Sequence, residues 1–385
     1  MAGIYVHIPF CRKACHYCNF HFSTSTALQN DFISALLKES ALQQQYLAGS
    51  SIETIYFGGG TPSLLPKSDL VSILSALRNH YDVSPSAEIT LEANPDDFSL
   101  SFAVGWRKAG FNRLSIGIQS FFEEDLRWMN RAHDALQATN CIDIARSAGF
   151  ENFTIDLIYG TPGLTDEKWE TNVQTAISLN IPHLSCYALT VEPGTALQKM
   201  VELKKKENVD PEKQARQFSL LMKWLVEAGY EHYEISNFAK PGFRSLHNSN
   251  YWKGVHYLGL GPSAHSFNGI ERKWNIANNA LYIQSILNGE IPAEKELLTT
   301  EQQLNEYIMT ALRTSDGLDL DHVTTIAGYK YSALVLDSVR KYVGLGHAVV
   351  NGQRITLTPA GKLFADGIAS DLFVMDNPVK SAERL

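Results

Sequence analysis

Nowhere in the 385 residues does an apolar run approach the ~20 residues of a membrane-spanning helix, so no membrane span is expected. Basic residues are in the minority, 33 against 41 acidic, and the net charge of -8 argues against a broad footprint on nucleic acid or on an anionic membrane. There is no low-complexity segment, no lipidation signal and no internal repeat beyond an alternation of strand-like and helix-like stretches. The opening MAGIYVHIPFCRK lacks the basic-then-apolar order of a signal peptide, and the expectation is a cytoplasmic protein. Cysteines are few and odd in number, five in a chain far too large for a disulfide scaffold. With 44% hydrophobic and 19% charged residues the chain is neither disordered nor coiled-coil, and its length fits two or three domains with a large core.

Three of the five cysteines crowd into Cys11-Arg-Lys-Ala-Cys15-His-Tyr-Cys18, a C-x3-C-x2-C run directly after the strand-like apolar stretch 4–8. Such spacing lets one loop wrap three thiolates around a single inorganic centre, and soft thiolates select zinc or an iron–sulfur cluster. A closed zinc site needs a fourth ligand, which His16 or His21 would supply. A four-iron cluster on three thiolates keeps one iron open for a ligand. The other two cysteines, Cys141 in a helical pattern and Cys186 in a strand pattern, read as buried packing residues.

Strand-like runs recur at 3–8, 53–57, 88–93, 113–119, 153–158 and 183–189, with amphipathic helical segments at 27–47, 67–79, 100–109, 135–148, 166–179 and 211–228. Six strand–helix units in succession predict an α/β fold, a partial (βα)6 TIM-like barrel whose chemistry sits at the C-terminal ends of the strands. The polar and glycine features fall at those ends. The cysteine loop follows strand one, Gly58-Gly59-Gly60-Thr61-Pro62 follows strand two, strand three ends in Glu92 and strand four in Gln119, and strand five carries Asp156. A lone triple glycine is usually a turn and a lone strand carboxylate a satisfied core acid. Three polar residues at three adjacent strand mouths would be costly to bury without a polar ligand.

The cysteine motif, with the aromatic Tyr17 before its last cysteine, resembles the radical S-adenosylmethionine superfamily. Tyr5-Val-His-Ile-Pro-Phe-Cys11, Ser115-Ile-Gly-Ile-Gln119-Ser, Met129-Asn-Arg131-Ala-His and Asp156-Leu-Ile-Tyr-Gly-Thr-Pro extend the likeness over most of the chain, to the branch that contains oxygen-independent coproporphyrinogen III oxidase and the HemW-type heme chaperones. The resemblance implies a [4Fe–4S] cluster on Cys11, Cys15 and Cys18, and S-adenosylmethionine on its open iron. It places Gly59, Gly60 and Thr61 at the methionine end, Tyr5 and Tyr17 on the cluster and adenine side, and Glu92, Gln119, Arg131 and Asp156 as polar contacts. Among these, Arg131 suits the carboxylate because its planar fork matches it bidentately.

Two functions from different classes follow. One is a chaperone that binds heme and delivers it to acceptor proteins; the alternative is the oxidase, which decarboxylates propionate side chains by radical chemistry. The oxidase pattern has a fourth cysteine where this chain has Phe20, and a sizeable segment before the cluster strand, which here starts near Met1. His247-Asn-Ser-Asn-Tyr251-Trp252 matches the HNxxYW pattern of the chaperone branch, whose histidine is implicated in heme ligation. His256 and His265 are alternative ligands, and a loop histidine is often only a hydrogen-bonding residue. The expected partners are heme, heme-acceptor proteins and an electron donor, with peripheral contact at membrane-bound acceptors compatible with the absence of a span.

The expected division is a barrel over 1–235, a connecting segment over 236–300 and a C-terminal helical, winged-helix-like domain over 301–385, with Asn351-Gly352 as a tight hairpin turn. Sparse basic residues argue against DNA binding by that module, and a lid packed against the barrel mouth is expected instead. Lys204-Lys-Lys-Glu reads as a solvated run.

Overall fold

A computed structural model describes residues 1–47 and 49–374. Six parallel strands, β1 (Ala2–Ile8), β2 (Ile52–Gly59), β3 (Val83–Ala93), β4 (Arg113–Gln119), β5 (Phe153–Tyr159) and β6 (His183–Ala188), pair in sequence order. Beyond β6 the sheet continues through two short antiparallel strands, β7 (Glu231–His232) and β8 (Asn237–Ala239). Beyond β1 it continues through β9 (Tyr257–Leu260), which is parallel to β1, and then through antiparallel β10 (His265–Phe267), β11 (Glu271–Asn275) and β12 (Ala293–Leu297). The result is the expected partial barrel, with the chain from 257 to 297 woven into the same sheet.

Side-chain alternation explains the barrel. Ile4, Val6 and Ile8, Ile55 and Phe57, Ile89 and Leu91, Leu114, Ile116 and Ile118, Phe153, Ile155 and Leu157 are buried in the principal core. The intervening residues point to the other face, and they are Tyr5, His7, Thr54, Tyr56, Glu88, Glu92, Arg113, Ser115, Gln119, Thr154, Asp156 and Ser185. Apolar layers fill most barrels of this architecture; here the interior is polar, which leaves room for polar ligands. The helices cover the apolar face. Lys67–His80 buries Leu70, Ile73, Leu74 and Leu77, the i, i+3, i+4, i+7 stripe of one helix face.

The helix expected over 27–47 runs only from Gln29 to Leu42. Near its C-terminal end lies the fully buried Glu39. The carboxylate accepts from Gln43 Nε2 (2.8 Å), Asn275 Nδ2 (2.7 Å), Tyr282 Oη (2.6 Å) and the Gly261 amide (2.8 Å), tying β11 and the 261–265 turn to the barrel wall.

A second core lies in the C-terminal part, among helices Thr300–Ala311, Leu320–Ala327 and Tyr329–Gly344 and the hairpin Ala348–Asn351 with Arg354–Leu357. Leu318–Asp319 adds a third strand, giving a winged-helix-like arrangement. The described part of this module does not line the cavity at the barrel mouth, where a lid was expected. Its contacts run to the edge strands of the sheet and the residue after β7, with the Ser315 amide on Tyr233 O (2.9 Å), Lys362 Nζ on His232 Nδ1 (2.9 Å) and Arg272 paired with Glu306 (2.5 Å). The expected end of the last domain, residues 375–385, lies outside the described residues. Among the described residues no helix is long and apolar enough to cross a membrane.

Candidate functional site

A cavity of about 550 Å³ opens at the C-terminal ends of the strands and descends into the polar barrel. It gathers Cys11, Cys15, Tyr17, Cys18, Gly59, Gly60, Thr61, Glu92, Gln119, Arg131 and Asp156, from six separate stretches of sequence. Two predicted site residues, Tyr5 and His247, are not among its lining residues.

The cysteine loop is pinned from three sides. The Gly60 and Thr61 amides donate to Ile8 O (2.8 Å) and Phe10 O (2.7 Å), Asn130 Nδ2 donates to Ala14 O (2.7 Å), and the Leu197 amide donates to His16 O (2.7 Å). Gly60 is required for that approach, since a Cβ there would lie 2.6 Å from Phe10 O. Thus the glycine-rich turn spends its Gly60 and Thr61 amides on the cysteine loop, and the Gly59 amide donates to Glu92 Oε2 (3.2 Å). Two of the cysteine sulfurs have a donor: Thr61 Oγ1 at 3.6 Å from Cys11 and Arg131 Nη1 at 3.4 Å from Cys15.

These thiols fit a soft inorganic centre. Burial pushes the Cys11 thiol up to about 11, and a bound cationic centre would supply the charge that keeps sulfur as thiolate. Among the described residues no three His, Cys, Asp or Glu side chains converge on an ion-sized point. The two histidines offered as a fourth zinc ligand are engaged elsewhere, His16 Nδ1 with Trp128 O (3.0 Å) and His21 Nε2 with Asn279 Oδ1 (2.7 Å).

Deeper in the cavity, Glu92 accepts from Tyr56 Oη (2.8 Å) and is pushed up to about 7, chiefly by burial and partly by the nearby Asp156. Asp156 is pushed up to about 6 by burial, against the opposing pull of a Ser185 hydrogen bond and of Arg113 and Arg131. Gln119 sits at a register shift in β4 with φ +69, a left-handed backbone that turns the strand end at the cavity wall. Tyr5 stacks on Tyr56 (6.1 Å between centroids) and its hydroxyl lies 3.3 Å from His7 Nδ1 inside the barrel.

His247 occupies the far end of the barrel. It is 2% exposed, Nδ1 is 2.8 Å from Thr54 Oγ1, Nε2 is 2.9 Å from Tyr251 Oη, and its ring stacks on Tyr56 at 5.0 Å. The Glu88 carboxylate accepts from the Leu246 and His247 amides (3.1 and 3.0 Å) and fixes the start of helix Leu246–Trp252. Both ring nitrogens expected to be free for a metal are therefore committed, and it is the next residue, Asn248, that lines the cavity. His256 and His265 are exposed, and His265 stacks on Trp274 (6.2 Å, 27°).

Sequence reasoning missed Asn94, Arg113, Ser115, Ser185 and Asn248, all of which line the cavity. Asn94 bridges Thr61 and Arg131 (3.1 and 2.6 Å). For Arg113, Ser115 and Ser185 the available signal was strand alternation, which puts every second residue on the polar face.

The Radical SAM superfamily profile matches residues 5–176 and the HemN C-terminal domain profile residues 298–364. The heme chaperone HemW of Mycobacterium tuberculosis is 33% identical over 375 residues, 96% of this chain and 94% of that protein. The Escherichia coli heme chaperone HemW is 37% identical over 267 residues, 68% and 69% of the two chains. The solved structure of Escherichia coli coproporphyrinogen III oxidase (HemN) superposes with a TM-score of 0.83 at 24% identity, over 97% of this chain and 90% of that one, and shows the shared fold. With a polar barrel, a three-cysteine loop at its mouth and full-length relatives above 30% identity, the chain belongs to the HemW family of the radical S-adenosylmethionine superfamily.

Proposed function

We propose that this protein is a heme chaperone that binds a [4Fe–4S] cluster on Cys11, Cys15 and Cys18, holds S-adenosylmethionine in the barrel cavity and delivers heme to acceptor proteins. The observation that carries the reading is the gathering of three thiols, two of them hydrogen-bonded, at the mouth of a polar cavity, with Phe20 in place of a further cysteine. When bound, the cluster supplies an open iron and an electron. The chain's own residues supply the rest. Glu92, Asp156 and Gln119 present acceptors to amine and hydroxyl groups, Tyr17 packs beside the loop, and Thr61 holds the Cys11 sulfur. Named relatives of matching length are described as heme chaperones, which supports heme as the cargo.

Heme needs an axial ligand, and neutral imidazole is a natural one. The proposal for His247 requires helix Leu246–Trp252 to leave the barrel, because both ring nitrogens are occupied in the closed arrangement. His256 and His265 need no such opening.

The test is anaerobic incubation of cluster-loaded protein with S-adenosylmethionine, a reductant and coproporphyrinogen III, alongside a heme titration of wild type and the His247→Ala, His256→Ala and His265→Ala variants. The reading expects saturable heme binding, its loss in the ligand variant, and no repeated formation of protoporphyrinogen. Repeated turnover of coproporphyrinogen would replace the chaperone with the oxidase.

A further inference from the structure

Of the two donors on the cysteine sulfurs, one is neutral, the Thr61 hydroxyl, and one is a cation. The Arg131 guanidinium spends Nη1 on Cys15 Sγ (3.4 Å) and Tyr17 Oη (3.4 Å), and Nη2 on Asn94 Oδ1 (2.6 Å) and Gly117 O (2.8 Å). These partners are a thiol, a phenol, a side-chain amide and a backbone carbonyl, with no carboxylate among them. The charge is therefore not neutralised by the groups that aim it, and it rests against a sulfur in a half-buried setting. Only Nε is left, buried without a hydrogen-bond partner.

We propose that Arg131 sets the reduction potential of the centre held by the cysteine loop, acting through the Cys15 sulfur. The proposal rests on the reading that the loop holds a [4Fe–4S] cluster. Reduction adds one negative charge that spreads onto the coordinating sulfurs. A cation in hydrogen-bond contact with one of them favours the reduced state, and more strongly in a partly dry site than in water. Asn94 and the Gly117 carbonyl hold the guanidinium in place, and a Cβ at Gly117 would crowd Gln119 Nε2 (2.9 Å) and Arg131 Nη2 (3.1 Å). Arg131 is in this sense a positioning residue for charge, with no bond made or broken at it.

The experiment is a redox titration of reconstituted protein without S-adenosylmethionine, followed by the electron paramagnetic resonance signal of the reduced cluster, with iron and sulfide measured on every sample. Arg131→Met is expected to move the midpoint to a more negative potential at full iron and sulfide content, and Arg131→Lys to move it by a smaller amount in the same direction. If Arg131→Met fails to retain the cluster, Arg131→Lys carries the test. A cluster-replete variant with the wild-type midpoint overturns the proposal, because a purely structural role or a role confined to the cofactor's carboxylate leaves the cofactor-free potential unmoved. Wild-type protein that takes up no iron and sulfide overturns the underlying cluster reading instead.

Discussion

Glu92 and Asp156 are buried carboxyl groups, pushed up to about 7 and about 6 respectively. Both lie above the usual value of about 4, so the folded cofactor-free protein binds more protons than the unfolded chain between pH ~4 and ~7. Their contribution to stability is accordingly full below the unfolded values and is lost as pH rises through 6 to 7. Ligand affinity runs the other way, because amine and hydroxyl donors need ionised acceptors. Calorimetric titration of cluster-loaded protein with S-adenosylmethionine should show affinity rising across that interval, with the rise reduced in Asp156→Asn. A flat profile in wild type would remove these carboxylates from the binding set. His247 makes a different prediction. Burial pushes its imidazole down to about 3, so it is a neutral strut at any physiological pH. His247→Ala strands the Thr54 and Tyr251 hydroxyls and should cost about 2–4 kcal/mol in chemical denaturation. An unchanged midpoint would mean that the ring is not held as described.

Strands and their polar ends were legible in the sequence because the period-two alternation separates an apolar face from a polar one. The six-strand order followed from the succession of strand-like and helix-like stretches, and Glu92, Gln119 and Asp156 from their places on the predicted strands. Asn94 was not legible, because its role exists only where Thr61 and Arg131, 33 and 37 residues away, meet it. The direction of His247 was hidden as well. The HNxxYW pattern fixes a helix, and only packing decides that His247 enters the barrel while Asn248 faces the cavity. The glycine-rich turn also clasps the neighbouring loop through its Gly60 and Thr61 amides. Gly60→Ala would place a Cβ 2.6 Å from Phe10 O and 2.8 Å from Ile8 O, backbone atoms that cannot swing aside. The cysteine loop must then shift, and iron per chain after reconstitution should fall well below wild type; full loading would show that the two loops are not coupled.

At the scale of the molecule, the closing hairpin and the helical texture of the C-terminal module were legible, but the face on which it docks was not. Docking follows from side chains far apart in sequence, such as Lys362, which sits 2.9 Å from His232 Nδ1 and is pushed down to about 8 by burial. The described part of this module contributes no residue to the cavity lining. Lys362→Met should therefore leave S-adenosylmethionine affinity within about twofold of wild type, as expected for a distant, independent site. A large loss by the same titration would mean that the module reaches the cofactor after all. The barrel and the module thus divide the work: one holds the cluster loop and its cavity, the other buttresses the wall behind it.

The most direct test of the chaperone account is an anaerobic heme titration of the cluster-loaded protein, read in the Soret region. The account predicts a saturable change at a defined stoichiometry, without loss of iron and sulfide from the cluster. A linear, unsaturated response indistinguishable from free heme would contradict it.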